Sequence, residues 1–324
     1  MTTIRRLTYF DHPKLKKLIS YLCTDDNDKL AKSLLEEPIG FVNAILPLPL
    51  KFKSESFILI ENNEILGLIT VTTTAGNHSK INITRLIFKE NMYEIGKQLV
   101  EFIIQKYGAK GALSFNVTVD ECHEELLDLF VNGCGFRQCS SETLWKIENF
   151  TTNKENILWR YAQNSDANSI CDLYNHEIKT IFKPSLERNP KEFMTPTFQG
   201  FTDFYKTRYL TEESGKILYY FSITTSDNLN YILDITANSG YETDYDAIIN
   251  AMLTEISSKK KGFYPFIKQK KYVNNSEEFE QYLRSKNYTP IQTQHILVKN
   301  YYKQAAETSS LGWEVFSLGE NSIT

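Results

Sequence analysis

The 324 residues carry 36 basic and 40 acidic side chains for a formal net charge of −4, with 41% hydrophobic and 23% charged positions. This balance can build sizeable cores, and it argues against a protein whose affinity comes from neutralising nucleic-acid phosphates or anionic membrane surfaces. Gly (14) and Pro (9) are too sparse for collagen-like or low-complexity chains, and the length suggests two domains of roughly 150 residues each. No run approaches the ~18 apolar residues of a membrane span, and no apolar stretch near Met1 reads as a signal peptide. The five cysteines (Cys23, Cys122, Cys134, Cys139, Cys171) lack C-x-x-C spacing and the five histidines are dispersed, so the expectation is reduced thiols, no metal and a cytoplasmic location.

In chain order, Ile4–Tyr9 reads as a strand, followed by a helix with Leu15, Leu18, Ile19 and Leu22 on one face. A short helix at 30–37 ends at Pro38 and Gly40. Two β-rich runs, Phe57–Ile60 and Ile65–Thr74, meet through Asn62-Asn63, residues that tolerate positive φ and so predict a tight hairpin. Ile81–Phe88 is a further strand. A loop then enters a helix with the stripe Ile95, Leu99, Phe102, Ile103 and Tyr107, stopped by Gly108 and Gly111. Leu113–Val119 is a strand and Cys122–Asn132 a helix with Leu126, Leu127, Phe130 and Val131 inward. The turn Gly133-Cys134-Gly135-Phe136 leads into two closing strands, the second Thr143–Ile147.

The polar run 148–156 predicts a linker, and the same order of elements follows it. A strand at Leu158–Tyr161 precedes Asp166, a good helix N-cap, and a helix with Ile170, Leu173, Tyr174 and Ile178. After an irregular segment come β-runs at Lys216–Thr225 and Tyr231–Thr236. A helix with Ile248, Met252 and Ile256, a strand at Phe263–Ile267, a helix with Phe279, Tyr282 and Leu283, and a final strand at Gln294–Val298 complete the set. One constant offset pairs Tyr288 with Phe136 and Leu297 with Trp145, so the repeat is one of element order. The expected domains are 1–147 and 157–300, with a tail at 301–324.

This order, with Arg85-Leu-Ile-Phe-Lys-Glu-Asn-Met-Tyr-Glu-Ile-Gly96 and Leu129-Phe-Val-Asn-Gly-Cys-Gly-Phe136, resembles the GNAT acyltransferase superfamily, twice over. The resemblance implies an α/β (α+β) fold of two GNAT-like domains, each a mixed, mostly antiparallel sheet flanked by helices. It also implies acetyl-CoA, or another acyl-CoA, as cofactor, held at Leu86, Phe88, Asn91, Met92, Tyr93, Glu94, Ile95, Gly96 and Lys97. A loop entering a helix exposes amides and the positive dipole end, which suit the two phosphates of the coenzyme. Of the family's Q/R-x-x-G-x-G/A pattern only Gly96 is kept, and Glu94 replaces the first glycine. Gly96 reads equally as the start of a packed helix. The second half's loop, 238–246, carries Glu242, Asp244 and Asp246 where phosphates would need positive potential, and predicts no phosphate binding.

The family's thiolate-protonating tyrosine aligns with Phe130 in the first half and with Tyr282 in the second. Asp234, on the second half's central strand, is the candidate base. Tyr282 also reads as a core or rim aromatic, and Asp234 as the partner of a basic side chain, since a buried carboxylate needs one. Cys122-His123 suggests a nucleophile pair only to the eye, because adjacent helical residues diverge. Lys259–Lys261 and Lys268 with Lys270-Lys271 form the most basic patch, and the Pro47–Leu50 stretch is a candidate apolar substrate wall. The implied functions are an acyl-CoA-dependent N-acyltransferase acting on a small-molecule or peptide amine, or a catalytically silent tandem fold for interaction or ligand sensing. The implied assembly is a monomer built as an internal pseudo-dimer, or a homodimer. A charged-tRNA donor, as in tandem-GNAT aminoacyltransferases, fits poorly with a pI near 5.9.

Overall fold

Turn residues able to adopt positive φ set the strand connections. In the computed structural model, Asn62 (φ 48°) and Asn63 (φ 66°) turn β2 (Phe52–Glu61) into β3 (Glu64–Thr74). Ser214 (φ 51°) and Gly215 (φ 78°) do the same for β8 (Lys206–Glu213) and β9 (Lys216–Thr225). Both are the two-residue left-handed turns that match the twist of a hairpin. The structure describes residues 2–11, 13–15, 17–18, 52–74, 77–89, 91–148, 150, 159–194, 206–225 and 228–301. The predicted helix at 30–37, the Pro47–Leu50 stretch, Cys23, most of the linker and the tail beyond Tyr301 lie outside them.

The remaining strands of the first half are β1 (Thr3–Arg6), β4 (Asn77–Phe88), β5 (Ser114–Asp120) and β6 (Arg137–Lys146). Those of the second are β7 (Arg160–Tyr161), β10 (Asn230–Ala237), β11 (Tyr264–Lys270) and β12 (Thr289–Asn300). Helices α1 (Lys97–Gly108) and α2 (Glu124–Asp128) belong to the first half. Helices α3 (Ala167–Glu177), α4 (Lys183–Leu186), α5 (Tyr245–Lys259) and α6 (Ser276–Ser285) belong to the second.

All strands join one mixed sheet in the order β1-β2-β3-β4-β5-β12-β6-β11-β10-β9-β8-β7. The two halves therefore exchange their last strands: β12 lies between β5 and β6, and β6 between β12 and β11. The two closing strands expected after Phe136 are one continuous strand, because the last strand of the other half fills the second place. Packing follows the exchange. Trp145, on the last strand of the first half, is buried in the core built by α5 and α6. Leu297, on the last strand of the second half, is buried in the core under α1.

The offset that pairs Tyr288 with Phe136 also carries Asn62-Asn63 onto Ser214-Gly215 and Gly135 (φ 71°) onto Asn287 (φ 56°). Each of the latter two closes a helix in the left-handed conformation, with Phe136 N–H donating to Phe130 O (2.9 Å) and Tyr288 N–H to Leu283 O (3.2 Å). A further repeat stands at the outer strands. Arg5 grips Asp11 with two hydrogen bonds of 2.8 and 2.6 Å, and Arg160 grips Asp166 with two of 2.8 and 3.0 Å. Asp166 stands at the N-cap position expected of it but makes no side-chain bond to the helix amides, accepting instead from Arg160 and from Gln163 N–H.

Candidate active site

Among the described residues the sheet has two parallel junctions, β4–β5 and β10–β11, and both come apart toward their C-terminal ends. In the first half, Lys80–Ile83 pair with Ser114–Val117. Beyond that point β4 runs on to Phe88 and β5 to Asp120 without pairing. The cause lies in β4. Opposite β3 the register jumps from Arg85–Thr70 to Ile83–Val71, leaving Thr84 as a bulged residue whose hydroxyl donates to Thr70 O (3.3 Å). A bulge bends its strand, and here it opens a wedge between β4 and β5.

The wedge points at the start of α1. Lys89 N–H is tied to Leu66 O (2.8 Å), and Asn91 takes the left-handed conformation (φ 51°, ψ 60°). A wide helical turn, Met92–Gly96, then feeds α1, its Glu94 and Ile95 amides bonding back to Asn91 O. Among the described residues no side chain caps this turn. The amides ahead of Glu94 have no upstream helical carbonyl to bond, so the corner keeps the donors and dipole of an uncapped helix start. Gly67 on β3 makes the corner possible: a Cβ there would stand 2.7 Å from Ile95 and 2.9 Å from Leu99. Only glycine lets α1 approach this closely.

Leu86 and Phe88 pack against the core below α1, and Ile95 is buried in it. Gly96 has ordinary helical φ (−62°). Glu94 is exposed, while Lys89 pairs with Glu64 (3.9 Å) and Lys97 with Glu101 (3.8 Å). Neither lysine pairs with Glu94. Tyr93 is 48% exposed, and its ring reaches to within 3.9 Å of the position a Cβ on Gly133 would take, at the end of the turn that follows α2. Phe130 is fully buried with its ring edge-on to Phe136 at 5.1 Å. It is core. Cys122 is exposed at the end of β5, where Asp120 pushes its thiol pKa up, which disfavours a thiolate nucleophile.

The second wedge is closed. Residues Asn230–Asp234 pair with Tyr264–Lys268. Just past them the Lys270 amine crosses to β10, 2.6 Å from Asp234 Oδ1 and 2.9 Å from Thr236 Oγ1, with only 3% of the lysine side chain exposed. Lys270 is thus the basic partner expected for Asp234. Burial pushes the Asp234 pKa up, but Lys270 and Lys268 outweigh it and hold the carboxyl below its ordinary value. The loop amides here also have acceptors of their own. Ser239 N–H donates to the buried Glu177 carboxylate (3.1 Å), Gly240 N–H to Asn238 Oδ1 (3.0 Å) and Ala247 N–H to Asp244 Oδ1 (3.0 Å). The protein's own oxygens occupy the donors that a diphosphate would use.

Tyr282 stands on the opposite face from Asp234. Its ring packs with Tyr245 and Phe279, and its hydroxyl donates to Asp246 Oδ1 (2.7 Å). Burial and then that carboxylate raise its pKa. The Asp234 side chain points to the α3 face, where Lys270 lies 5.3 Å from the Tyr174 ring. The structure does not bring the two residues together. The signals that sequence reading missed are the Thr84 bulge, the lysine plug and Glu177, whose partner lies 62 residues away.

Searches with protein-family models and with curated protein sequences found no match. Solved structures do match. A tandem GNAT protein from the clavulanic acid biosynthesis pathway superposes with a TM-score of 0.60 at 9% identity, over 94% of this chain and 100% of that one. A GCN5-related N-acetyltransferase from Sphaerobacter thermophilus gives 0.56 at 10% identity, over 92% and 95%. An Enterococcus faecalis protein described as a probable N-acyltransferase gives 0.53 at 7% identity, over 93% and 72%. The protein has a tandem GNAT, N-acetyltransferase-like fold.

Proposed function

We propose that the protein is an acyl-CoA-dependent N-acyltransferase whose coenzyme binds in the first half only. The uncapped helix start at 91–97, facing the wedge between β4 and β5, carries this reading; its counterpart in the second half is filled. Asn91, Met92 and Tyr93 would offer main-chain hydrogens to the diphosphate, the unpaired edge of β4 at 84–88 would face the pantetheine arm, and Tyr93 would flank the entrance. Acyl-CoA, when bound, supplies the activated acyl group. The chain holds it in line with an amine, and such positioning alone is worth several powers of ten in rate. Asp234 and Tyr282 are the sequence-based base and acid, but Lys270 and Asp246 engage them, so water is the proton acceptor this geometry favours.

Thermal shift tests the assignment. Acetyl-CoA at about 100 times its dissociation constant stabilises by ~2.7 kcal/mol. Gly96→Trp is expected to abolish the shift and Ala247→Trp, at the equivalent corner of the second half, to preserve it. No shift at about millimolar acetyl-CoA, the range of ~4 kcal/mol binding, rejects the reading. A silent ligand sensor is the second reading, supported by the core position of Phe130 in place of an acid. It predicts the same shift but no acylated product with any amine.

A further inference from the structure

The two wedges differ at one position of the strand that forms their outer wall. Counting from the first pair of each parallel junction, Lys80–Ser114 and Asn230–Tyr264, Asp120 at the tip of β5 takes the place of Lys270, and Thr84 that of Asp234. In the second half Lys270 crosses the gap to Asp234, whose charge Lys268 and Arg188 also stabilise. In the first half the corresponding side chain turns the other way. Asp120 accepts from the Gln292 side-chain amide through Oδ2 and from Cys122 N–H through Oδ1 (3.1 Å). Gln292 lies on β12, so the hold comes from the exchanged strand of the second half.

A strand irregularity brings Gln292 there. Against β6 the register of β12 jumps from Pro290–Trp145 to Gln292–Leu144, leaving Ile291 unpaired and 50% exposed. Residues directly opposite in a sheet share a face, so Pro290 lies with Trp145 on the side of α5 and α6, and Gln292 lies on the other. A bulge re-aims the side chains that follow it, which is why bulges recur beside active sites. Gln292 thereby shares a face with Gln294, the residue opposite Asp120. The Gln292 amide lowers the Asp120 pKa against the cost of burial, so the acceptor stays charged and the bond is of the stronger, charge-assisted kind. Past Asp120 the main chain continues the hold, Glu121 N–H donating to Thr293 O (2.9 Å). The β5 tip is thus joined to β12 beyond Val117, where it parts from β4. With the Thr84 bulge on β4, the wedge has a cause on each of its two sides.

We propose that Gln292 is a positioning residue for coenzyme binding: through Asp120 it holds the β5 tip against β12 and away from β4, so the second half sets the opening of the first half's wedge. Resting on the first-half coenzyme site proposed above, this role makes β12 part of that site although β12 belongs to the other half. The same contact keeps Asp120 from crossing the first wedge as Lys270 crosses the second. It also reaches the entrance, because His123 N–H donates to Asp120 O (3.0 Å) at the start of α2, and the turn that follows α2 ends at Gly133 beside the Tyr93 ring.

Calorimetric titration of the full chain with acetyl-CoA tests this. Gln292→Ala should weaken binding about 10-fold, the worth of one bond to a charged group. Hydrogen exchange on the same samples should quicken at Glu121 and Cys122 while the amides of α1 and α5 keep their protection. Gln292→Glu alone should bind more weakly still, since two carboxylates then face each other. The reversed pair, Asp120→Asn with Gln292→Glu, should recover most of the affinity, because amide and carboxylate have merely changed places; a purely structural loss would not be rescued in this way. No binding by the native chain would overturn the coenzyme assignment and this role with it. Binding by the native chain with Gln292→Ala unchanged, with protection lost throughout the chain rather than at the β5 tip, or with the reversed pair no better than Gln292→Glu alone, would overturn the role of Gln292 and leave the coenzyme assignment standing.

Discussion

Replacing Trp145 with alanine should unfold the half of the molecule to which Trp145 does not belong in sequence. The indole is 2% exposed, its N–H donates to Gln269 Oε1 (2.9 Å), and the Arg284 guanidinium lies 5.3 Å from the ring centre. Gln269 is itself buried and holds Ser276 O (3.2 Å) and Glu280 (3.1 Å) at the start of α6. Truncation removes a large core side chain, worth ~3–5 kcal/mol, and strands the Gln269 oxygen at ~1–3 kcal/mol more. Set against a typical total of ~5–15 kcal/mol, this is a major loss. Trp145→Phe keeps most of the packing and should cost only about 1–3 kcal/mol, chiefly the lost bond. Urea denaturation gives the magnitude and hydrogen exchange the location. Trp145→Ala should strip protection from α5 and α6 while α1 stays protected. Leu297→Ala, at ~2–5 kcal/mol, should do the reverse. If Trp145→Ala loosens α1 first, the strand exchange is wrong.

Three further outcomes concern carboxylates held by ion pairs or hydrogen bonds. Lys270→Met leaves Asp234 without its direct partner, and with Lys268 and Arg188 still nearby the expected loss in urea melts is about 1–3 kcal/mol, largely restored in Lys270→Met/Asp234→Asn. Asp11, bonded first to Arg5 and then to Thr8, has its pKa lowered to about 2 from 3.8. A carboxyl with a depressed folded pKa adds stability above its unfolded pKa and loses it as pH falls through the folded one. Acid unfolding of the native chain should therefore steepen between about pH 4 and 2, and Asp11→Asn should flatten that window at a cost of about 1–2 kcal/mol at neutral pH, discounted for the exposed Arg5. Tyr282→Phe should slow acyl transfer by less than about tenfold, whereas a positioned general acid contributes ~10²–10⁴-fold; a larger fall would restore Tyr282 as the acid.

Much of the fold was legible because local chemistry decided it. Asn62-Asn63 could hardly be anything but a tight turn, and the stripe Leu99, Ile103, Tyr107 at helical spacing is buried as its period requires. The offset between Phe136 and Tyr288 was visible because both follow a residue in the left-handed conformation that ends a helix. β8 was missed: Lys206-Thr-Arg-Tyr-Leu-Thr-Glu-Glu alternates, but its inward positions include Arg208, which buries a charge against the Phe193 carbonyl where the pattern calls for an apolar side chain. The strand exchange left no local trace. Trp145 reads as a buried strand aromatic whichever core receives it, because periodicity fixes a side chain's face and not its neighbour across the sheet. The candidate coenzyme corner was found by position more than by motif, since an uncapped helix start is a main-chain feature that Glu94 does not remove. The lysine plug was hidden for a different reason. Lys268 and Lys270 read in the sequence as part of a basic patch, and only the register that sets Asp234 beside Lys268 gives them a carboxylate partner.

On the proposed function, the exchange would also account for a second half that keeps its fold although the equivalent corner is filled by its own side chains. Once β12 completes the first half's sheet beside β5, and Leu297 its core, the second half cannot decay without exposing the β5 edge next to the wedge. If the first half binds coenzyme as proposed, selection on that binding would act on second-half packing as well. It would not act on the second half's wedge, which is free to take a residue that adds stability in place of a ligand. Lys270 spanning Asp234 and Thr236, and Glu177 on the Ser239 amide, are that kind of residue: each replaces contacts that a coenzyme would make with contacts internal to the chain. Among the described residues the first-half corner has no such substitution, Lys89 and Lys97 being engaged with Glu64 and Glu101 and its helix start left uncapped. An amide corner left without a side-chain cap among the described residues in one copy and filled in the other is the asymmetry expected if one copy alone still holds a diphosphate.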